Sequence, residues 1–185
     1  MKKSIVLLFV LSFSILSFGQ EKQEMSREER RALEKEKRAV LDSLLAQQIK
    51  QAVDQKKWVL EADRLSNTMG ATINVNSNLN FIALEGDEAY VQLGSETGMG
   101  ANGVGGVTIR ANVNSYKVDR SKKGTYYIQV TLTSAIGNLD IRIDMNSTGQ
   151  MASATVQGNS ARTITYAGRL VPLSLSTVYK GTPLF

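Results

Sequence analysis

The chain has 185 residues, of which 22 are basic and 17 acidic, a net charge of +5, and neither cysteine nor histidine. That composition excludes disulfides, thiolate catalysis, histidine-ligated haem, ordinary zinc sites, Ser-His-Asp chemistry and histidine acid–base work. Lys2 and Lys3 supply part of the excess. From Gln20 onward 20 basic residues face 17 acidic ones, 10 against 8 in residues 21–57 and 10 against 9 in residues 58–185, which excludes the one-sided charge of a nucleic-acid binder.

Residues 1–19 read as a cleavable signal peptide. Lys2 and Lys3 give the positive start, Ile5 to Phe18 is an apolar run punctured by Ser12, Ser14 and Ser17, and Ser17-Phe18-Gly19 places small residues at the cleavage positions. The run is shorter than the roughly 20 apolar residues of a membrane-spanning helix. No cysteine follows it for lipidation, and no second apolar run follows either. The mature chain is therefore expected to begin near Gln20 and to be exported, periplasmic or secreted, with no membrane span.

Residues 20–57 form a charged helical segment. Of residues 21–38, 13 are charged, and none is Gly or Pro. Ser26-Arg27-Glu28-Glu29 is a capping box, in which the serine oxygen and the Glu29 carboxylate satisfy amides at a helix start. Leu33, Val40, Leu41, Leu44, Leu45, Ile49, Ala52 and Val53 then form a helical stripe. The spacing predicts a helix from about Arg27 to Lys56, roughly 45 Å long. Two readings follow: its second half packs on the following domain, or the helix docks on a partner or on a second copy. The apolar gap between Leu33 and Val40 breaks a sustained heptad seam and favours the first.

From Trp58 the apolar period changes from helical to two. Val107 to Val113, Tyr126 to Thr133 and Leu139 to Met145 alternate apolar with polar residues, as half-buried antiparallel strands do. Turn residues separate them at Glu85-Gly86-Asp87, Ser121 to Gly124, Ile136-Gly137-Asn138, Ser147-Thr148-Gly149 and Gly158-Asn159-Ser160. About eight strands are predicted, near 58–65, 79–84, 88–93, 106–118, 125–134, 138–146, 150–157 and 162–171. A meander of this length protects its edges by curling into a barrel or a two-layer sandwich. Residues 58–185 are thus a mainly β domain, an antiparallel meander preceded by one long N-terminal helix.

The order of several short motifs resembles a family of exported Bacteroidota proteins known as domain of unknown function 4251. The residues concerned are Asn80-Phe81-Ile82, Ala89-Tyr90-Val91-Gln92-Leu93, Gly103-Val104-Gly105-Gly106-Val107 and Tyr116-Lys117-Val118 before a Lys-Lys-Gly turn. Gly149 and Arg162-Thr163-Ile164-Thr165-Tyr166-Ala167-Gly168 complete the set. These are glycines, strand residues and turns, so the resemblance implies a fold and a cell-envelope location and no reaction.

Gly98-Met99-Gly100-Ala101-Asn102-Gly103 matches a dinucleotide fingerprint by letter. That site needs a helix after the glycines, and here a strand follows. The stretch holds six glycines in 13 residues (94–106) and is the longest irregular connection, so Gly98, Met99, Gly100, Asn102 and Gly103 are the candidate binding loop. The carboxylates Glu85, Asp87, Glu88, Glu96, Asp140 and Asp144 are the remaining acid–base groups. Asp140 and Asp144 lie roughly 13 Å apart on one strand, beyond the separation that paired carboxylates use in glycosidases. Trp58, at the helix-to-strand junction, reads as a packing anchor. No catalytic, cofactor or metal residue is assigned. The first functional reading is a non-enzymatic envelope module for a partner protein or a small apolar ligand. The alternative is a hydrolase whose carboxylates converge from different strands.

Overall fold

The computed structural model describes residues 26–95, 100, 102–159 and 163–184. The signal-like residues 1–19 lie outside them. The molecule divides into two compact units, Met1–Glu36 and Lys37–Phe185. Residues 26–36 of the first are exposed throughout and begin helix α1 (Arg27–Asp54). The capping box forms: Ser26 Oγ accepts from the Glu29 amide at 3.2 Å, and the Glu29 carboxylate accepts from the Ser26 amide at 2.8 Å. No helix among the described residues is long and apolar enough to cross a membrane.

In the second unit only the end of α1 is packed. Ile49, Ala52 and Val53 are buried, whereas Val40, Leu41 and Leu44 are each more than half exposed. The predicted stripe thus works as a core face in its last turns alone. Lys56 ends the helix in the left-handed region (φ 54°), and its carbonyl accepts from the Gly86 amide at 2.8 Å.

Nine strands follow: β1 (Lys57–Asn67), β2 (Thr72–Asn74), β3 (Phe81–Glu85), β4 (Glu88–Leu93), β5 (Val107–Arg120), β6 (Tyr126–Ser134), β7 (Gly137–Met145), β8 (Ala152–Gln157) and β9 (Thr163–Pro172). Neighbours pair antiparallel in chain order from β3 to β9, and β1 bonds β3 on one edge and β9 on the other. Eight strands therefore close into a barrel, the first of the two expected shapes. The extra strand β2 pairs with Arg64–Ser66, on the edge of β1 that β3 leaves free. Register shifts at Ala62/Arg64 and Val113/Ser115 mark bulges in the two longest strands, where a closed sheet must coil.

Alternation sends one side chain of each pair inward. Leu60, Ile82, Ile128 and Leu132 have no accessible surface at all. A void large enough for water would leave accessible area on its walls, so this part of the barrel is filled by side chains. The end nearest α1 is closed by Ile49, Ala52 and Val53, which join the same core as Trp58, Tyr126, Met145 and Leu170. Tyr116 links helix to barrel. Its hydroxyl donates to the Val53 carbonyl at 3.0 Å and accepts from the Trp58 indole at 3.2 Å, giving a helix-end carbonyl a partner. Gly149 (φ +71°) permits this closure, since a Cβ there would stand 2.4 Å from the Leu170 carbonyl oxygen and 2.7 Å from Ile49 Cδ1.

A second, smaller apolar cluster lies outside the barrel. Val59, Phe81 and Ala83 point outward and are covered by Val171, Leu173 and Val178. The last two belong to a C-terminal strap that starts with a 3₁₀ turn at Leu173–Leu175 and continues to residue 184. Amides of Tyr179, Thr182 and Leu184 donate to the carbonyls of Asn78, Asn102 and Thr108, at 2.9, 2.9 and 3.0 Å.

Candidate functional site

The glycine-rich connection between β4 and β5 turns out to be an anchor for that strap. Gly98 and Met99 lie outside the described residues. Gly100 accepts from the Gly103 amide at 2.9 Å, and Gly103 has a left-handed φ of 74°. Asn102 is fully buried. Its Oδ1 accepts from the amides of Val104 and Gly106 at 3.1 and 3.0 Å, and its Nδ2 donates to Thr108 Oγ1 at 3.2 Å. Thr108 in turn donates to Gln92 Oε1 at 3.0 Å. Gln92, also fully buried, uses its whole amide: Nε2 donates to the carbonyls of Leu79 and Tyr179, and Oε1 also accepts from the Gly181 amide at 2.8 Å. Gly106 lies where a Cβ would stand 2.1 Å from the Leu93 carbonyl oxygen, so close backbone approach explains that glycine. The polar atoms of Asn102 are thus committed to holding strap and loop together.

The candidate carboxylates are dispersed. Glu85 and Glu88 face one another across the β3–β4 turn, but Glu85 is paired with Lys180 and Glu88 with Arg110. The Arg110 guanidinium, with the Tyr90 hydroxyl, holds the Glu88 carboxyl below the usual carboxylate range, the opposite of what a general acid needs. Lys180 also lies 4.3 Å over the Tyr90 ring, which ties the strap to β4. Asp87 reaches Lys56 at 3.3 Å. Asp140 and Asp144 are on β7, three strands further round the sheet, where Asp140 accepts from Thr131 Oγ1 at 3.0 Å. Glu96 lies outside the described residues. Among the described residues no three carboxylates gather as a metal site would require.

Sequence reasoning did not single out Glu61. It points outward from β1, yet the strap buries it to 2 % exposure, and Arg169 (2.8 Å) and Ser176 Oγ (2.8 Å) take its two oxygens. Its signal was a lone acid inside the run Trp58-Val59-Leu60-Glu61-Ala62. The pairing on every side makes it a structural carboxylate.

The barrel end away from α1 carries a different kind of surface. There a depression of about 330 Å³ lies between the tip of β1, the β1–β2 hairpin, the end of β4 and the start of β9. Leu65, Ala71, Ile73, Leu93 and Ile164 line it, with Ser66 and Asn67 at the edge. Ser66 Oγ is occupied by Thr72 Oγ1 at 2.9 Å, and Asn67 Oδ1 accepts from the amides of Met69 and Ala71 at 2.9 and 3.1 Å. The Ser66 hydroxyl and Asn67 Oδ1 are thereby used within the hairpin, and the rest of the lining is apolar side chain. Ile73 is 61 % exposed and Met69 88 %, both on this hairpin. None of these residues formed a recognisable motif, because each is an ordinary strand-end apolar residue.

Comparison with known proteins places this architecture. A family model described as Domain of unknown function (DUF4251) matches residues 41–170. The crystal structure of a DUF4251 family protein from Bacteroides eggerthii is similar over 74 % of this chain and 93 % of that one, with 27 % identity and a TM-score of 0.62. No curated protein matches.

Proposed function

Since this chain belongs to the DUF4251 family, whose description carries no activity, we propose that it is a non-enzymatic binding module of the bacterial cell envelope. It takes a small apolar ligand at the open end of its barrel. The observation that carries this reading is the depression lined by Leu65, Ile73, Leu93 and Ile164, at whose rim the Ser66 hydroxyl and Asn67 Oδ1 already have partners. A ligand there gains by covering apolar surface and displaces few bonded waters. The filled barrel interior limits the ligand to this mouth, so it is a short apolar segment and not a whole lipid swallowed by the barrel. The signal-like residues 1–19 support placement outside the cytoplasm, periplasmic or secreted. The hydrolase alternative has little behind it, since Glu85, Asp87 and Glu88 each hold a cation and Glu88 is kept ionised.

The test uses residues 20–185 and the fluorescent probe N-phenyl-1-naphthylamine. Ile73→Glu and Ile164→Glu should each weaken probe binding by about tenfold or more, because a carboxylate is placed against apolar surface. Val40→Glu, on the exposed part of α1, should leave it unchanged. Equal binding by all four proteins, or none by the parent, would remove the small-ligand reading.

A further inference from the structure

At the opposite end of the barrel, where α1 meets the start of the strap, lies a cleft of about 420 Å³. One wall is helical. Gln48 and Gln51 stand at i and i+3 on α1, Gln55 follows directly after its last residue, and all three line the cleft. Their carboxamides make no hydrogen bond with any described residue, so each keeps its donors and its acceptor for a ligand. The facing wall is Pro172, Leu173 and Leu175, and Leu175 is 60 % exposed. Lys57 is the sole charged residue of the lining. Across the strands its register partner is Glu85, but that carboxylate is paired with Lys180, which leaves the Lys57 ammonium without a carboxylate among the described residues.

The chemistry of these walls selects one class of ligand. Three uncharged amides offer donors and acceptors side by side, facing a surface of aliphatic carbon, with one cation at the edge. A sugar ring is amphipathic in the same sense, with hydroxyls around its rim and C–H groups on its faces. A single acid group on it would complement Lys57. A peptide docking by strand addition fits less well, because that mode needs a free sheet edge. Here β1 is bonded on both sides, Lys57 opposite Glu85 and Trp58 opposite both Leu84 and Pro172. We propose that this cleft binds an acidic saccharide of about two rings, a size at the small end of ligand clefts. Gln48, Gln51 and Gln55 hold its hydroxyls, Leu173 and Leu175 its apolar face, and Lys57 its carboxylate.

The site shares no residue with the barrel mouth, so the two readings stand or fall separately. Residues 20–185 are titrated with a glucuronyl-glucose disaccharide, with neutral cellobiose and with a blocked tetra-alanine peptide, and binding is followed by saturation-transfer NMR. The same protein is applied to an array of bacterial surface glycans. The acidic disaccharide should bind, cellobiose should bind about tenfold more weakly, and the peptide not at all. Lys57→Met should bring the acidic sugar down to the level of cellobiose and leave cellobiose unchanged. Gln51→Leu should weaken both sugars, and Ile73→Glu neither. Unchanged melting temperatures of Lys57→Met and Gln51→Leu show that the variants fold. Indifference of binding to both cleft variants, preference for the peptide, or no acidic glycan bound in either format would overturn the proposal.

Discussion

Replacing Gln92 by Leu tests how the strap is held. The two side chains are close in volume, so the substitution opens little cavity and acts through hydrogen bonding. In the parent, Gln92 serves the carbonyls of Leu79 and Tyr179, the Gly181 amide and the Thr108 hydroxyl, all in a fully buried setting. Leaving a buried polar group without a partner costs about 1–3 kcal/mol, so four such groups cost at least about 4 kcal/mol if the strap stays in place. The chain has a second course. It can release the strap, rehydrate Tyr179 and Gly181, and lose instead the cover over Val59, Phe81 and Ala83. The measured loss is the smaller of these two costs, about 2–4 kcal/mol. Urea unfolding followed through Trp58, the single tryptophan and a fully buried one, measures it directly. The decisive comparison adds Gln92→Leu to a chain ending at Leu175. There two of the four partners are gone and the others are wet, so the substitution should cost under about 1 kcal/mol, a coupling of about 2 kcal/mol. Equal costs in the two backgrounds would refute the account of Gln92 as the strap's anchor.

Two further outcomes concern the helix end of the barrel. Burial pushes the Tyr116 hydroxyl up to about 12, against about 10 for an unfolded tyrosine, and burial raises Tyr166 as well. A raised acid of this kind favours the neutral folded form. Stability is therefore full below pH 10 and falls as the pH rises above 10, by at most about 1.4 kcal/mol per unit for each of the two tyrosines. Tyr116→Phe should cost about 1–2 kcal/mol at pH 7, through the unpaired Val53 carbonyl and Trp58 indole, and should flatten but not abolish the alkaline loss, because Tyr166 remains. Urea midpoints at pH 7, 10 and 11 check both parts, and an unaltered alkaline slope would contradict them. Gly149→Ala should lower stability by about 2 kcal/mol or more, since its Cβ meets Leu170 backbone and Ile49 in a left-handed conformation. A thermal midpoint within a degree of the parent would show that Ile49 yields more easily than its packing implies.

The elements legible in the sequence are those set by neighbours along the chain. Ser26 and Glu29 announce the helix start because both partners lie within one turn. The alternation of β6 and β7 announces strands because each side chain reports its own face. Strand β2 gave no such report, since all three of its residues are exposed. Barrel against sandwich was not legible either, because the deciding contact is the pairing of β1 with β9, and alternation is the same in both shapes. The role of the glycine-rich connection was hidden for a related reason. Gln92 and Thr108 fall on the outward phase of their strands and read as water-facing, but a segment 87 residues beyond Gln92 covers them. The apolar mouth and the glutamine-lined cleft are likewise assembled from chain segments that share no local pattern. Trp58 did read correctly as an anchor, because a large apolar side chain at a change of period has few other uses.

The closing pairing of β1 with β9 also sets a timetable. Glu61 and Arg169, opposite one another in that seam, stand 108 residues apart in sequence. A chain delivered N-terminus first, from a ribosome or through an export channel, presents β1 and its neighbours before the strand that seals them is available. Throughout that interval the nascent sheet presents a long, unpaired border to its surroundings, and pairing across so wide a separation is slow to form. Until β9 arrives, that border is where two chains join most easily, so the yield of folded barrel depends on keeping chains apart during the interval.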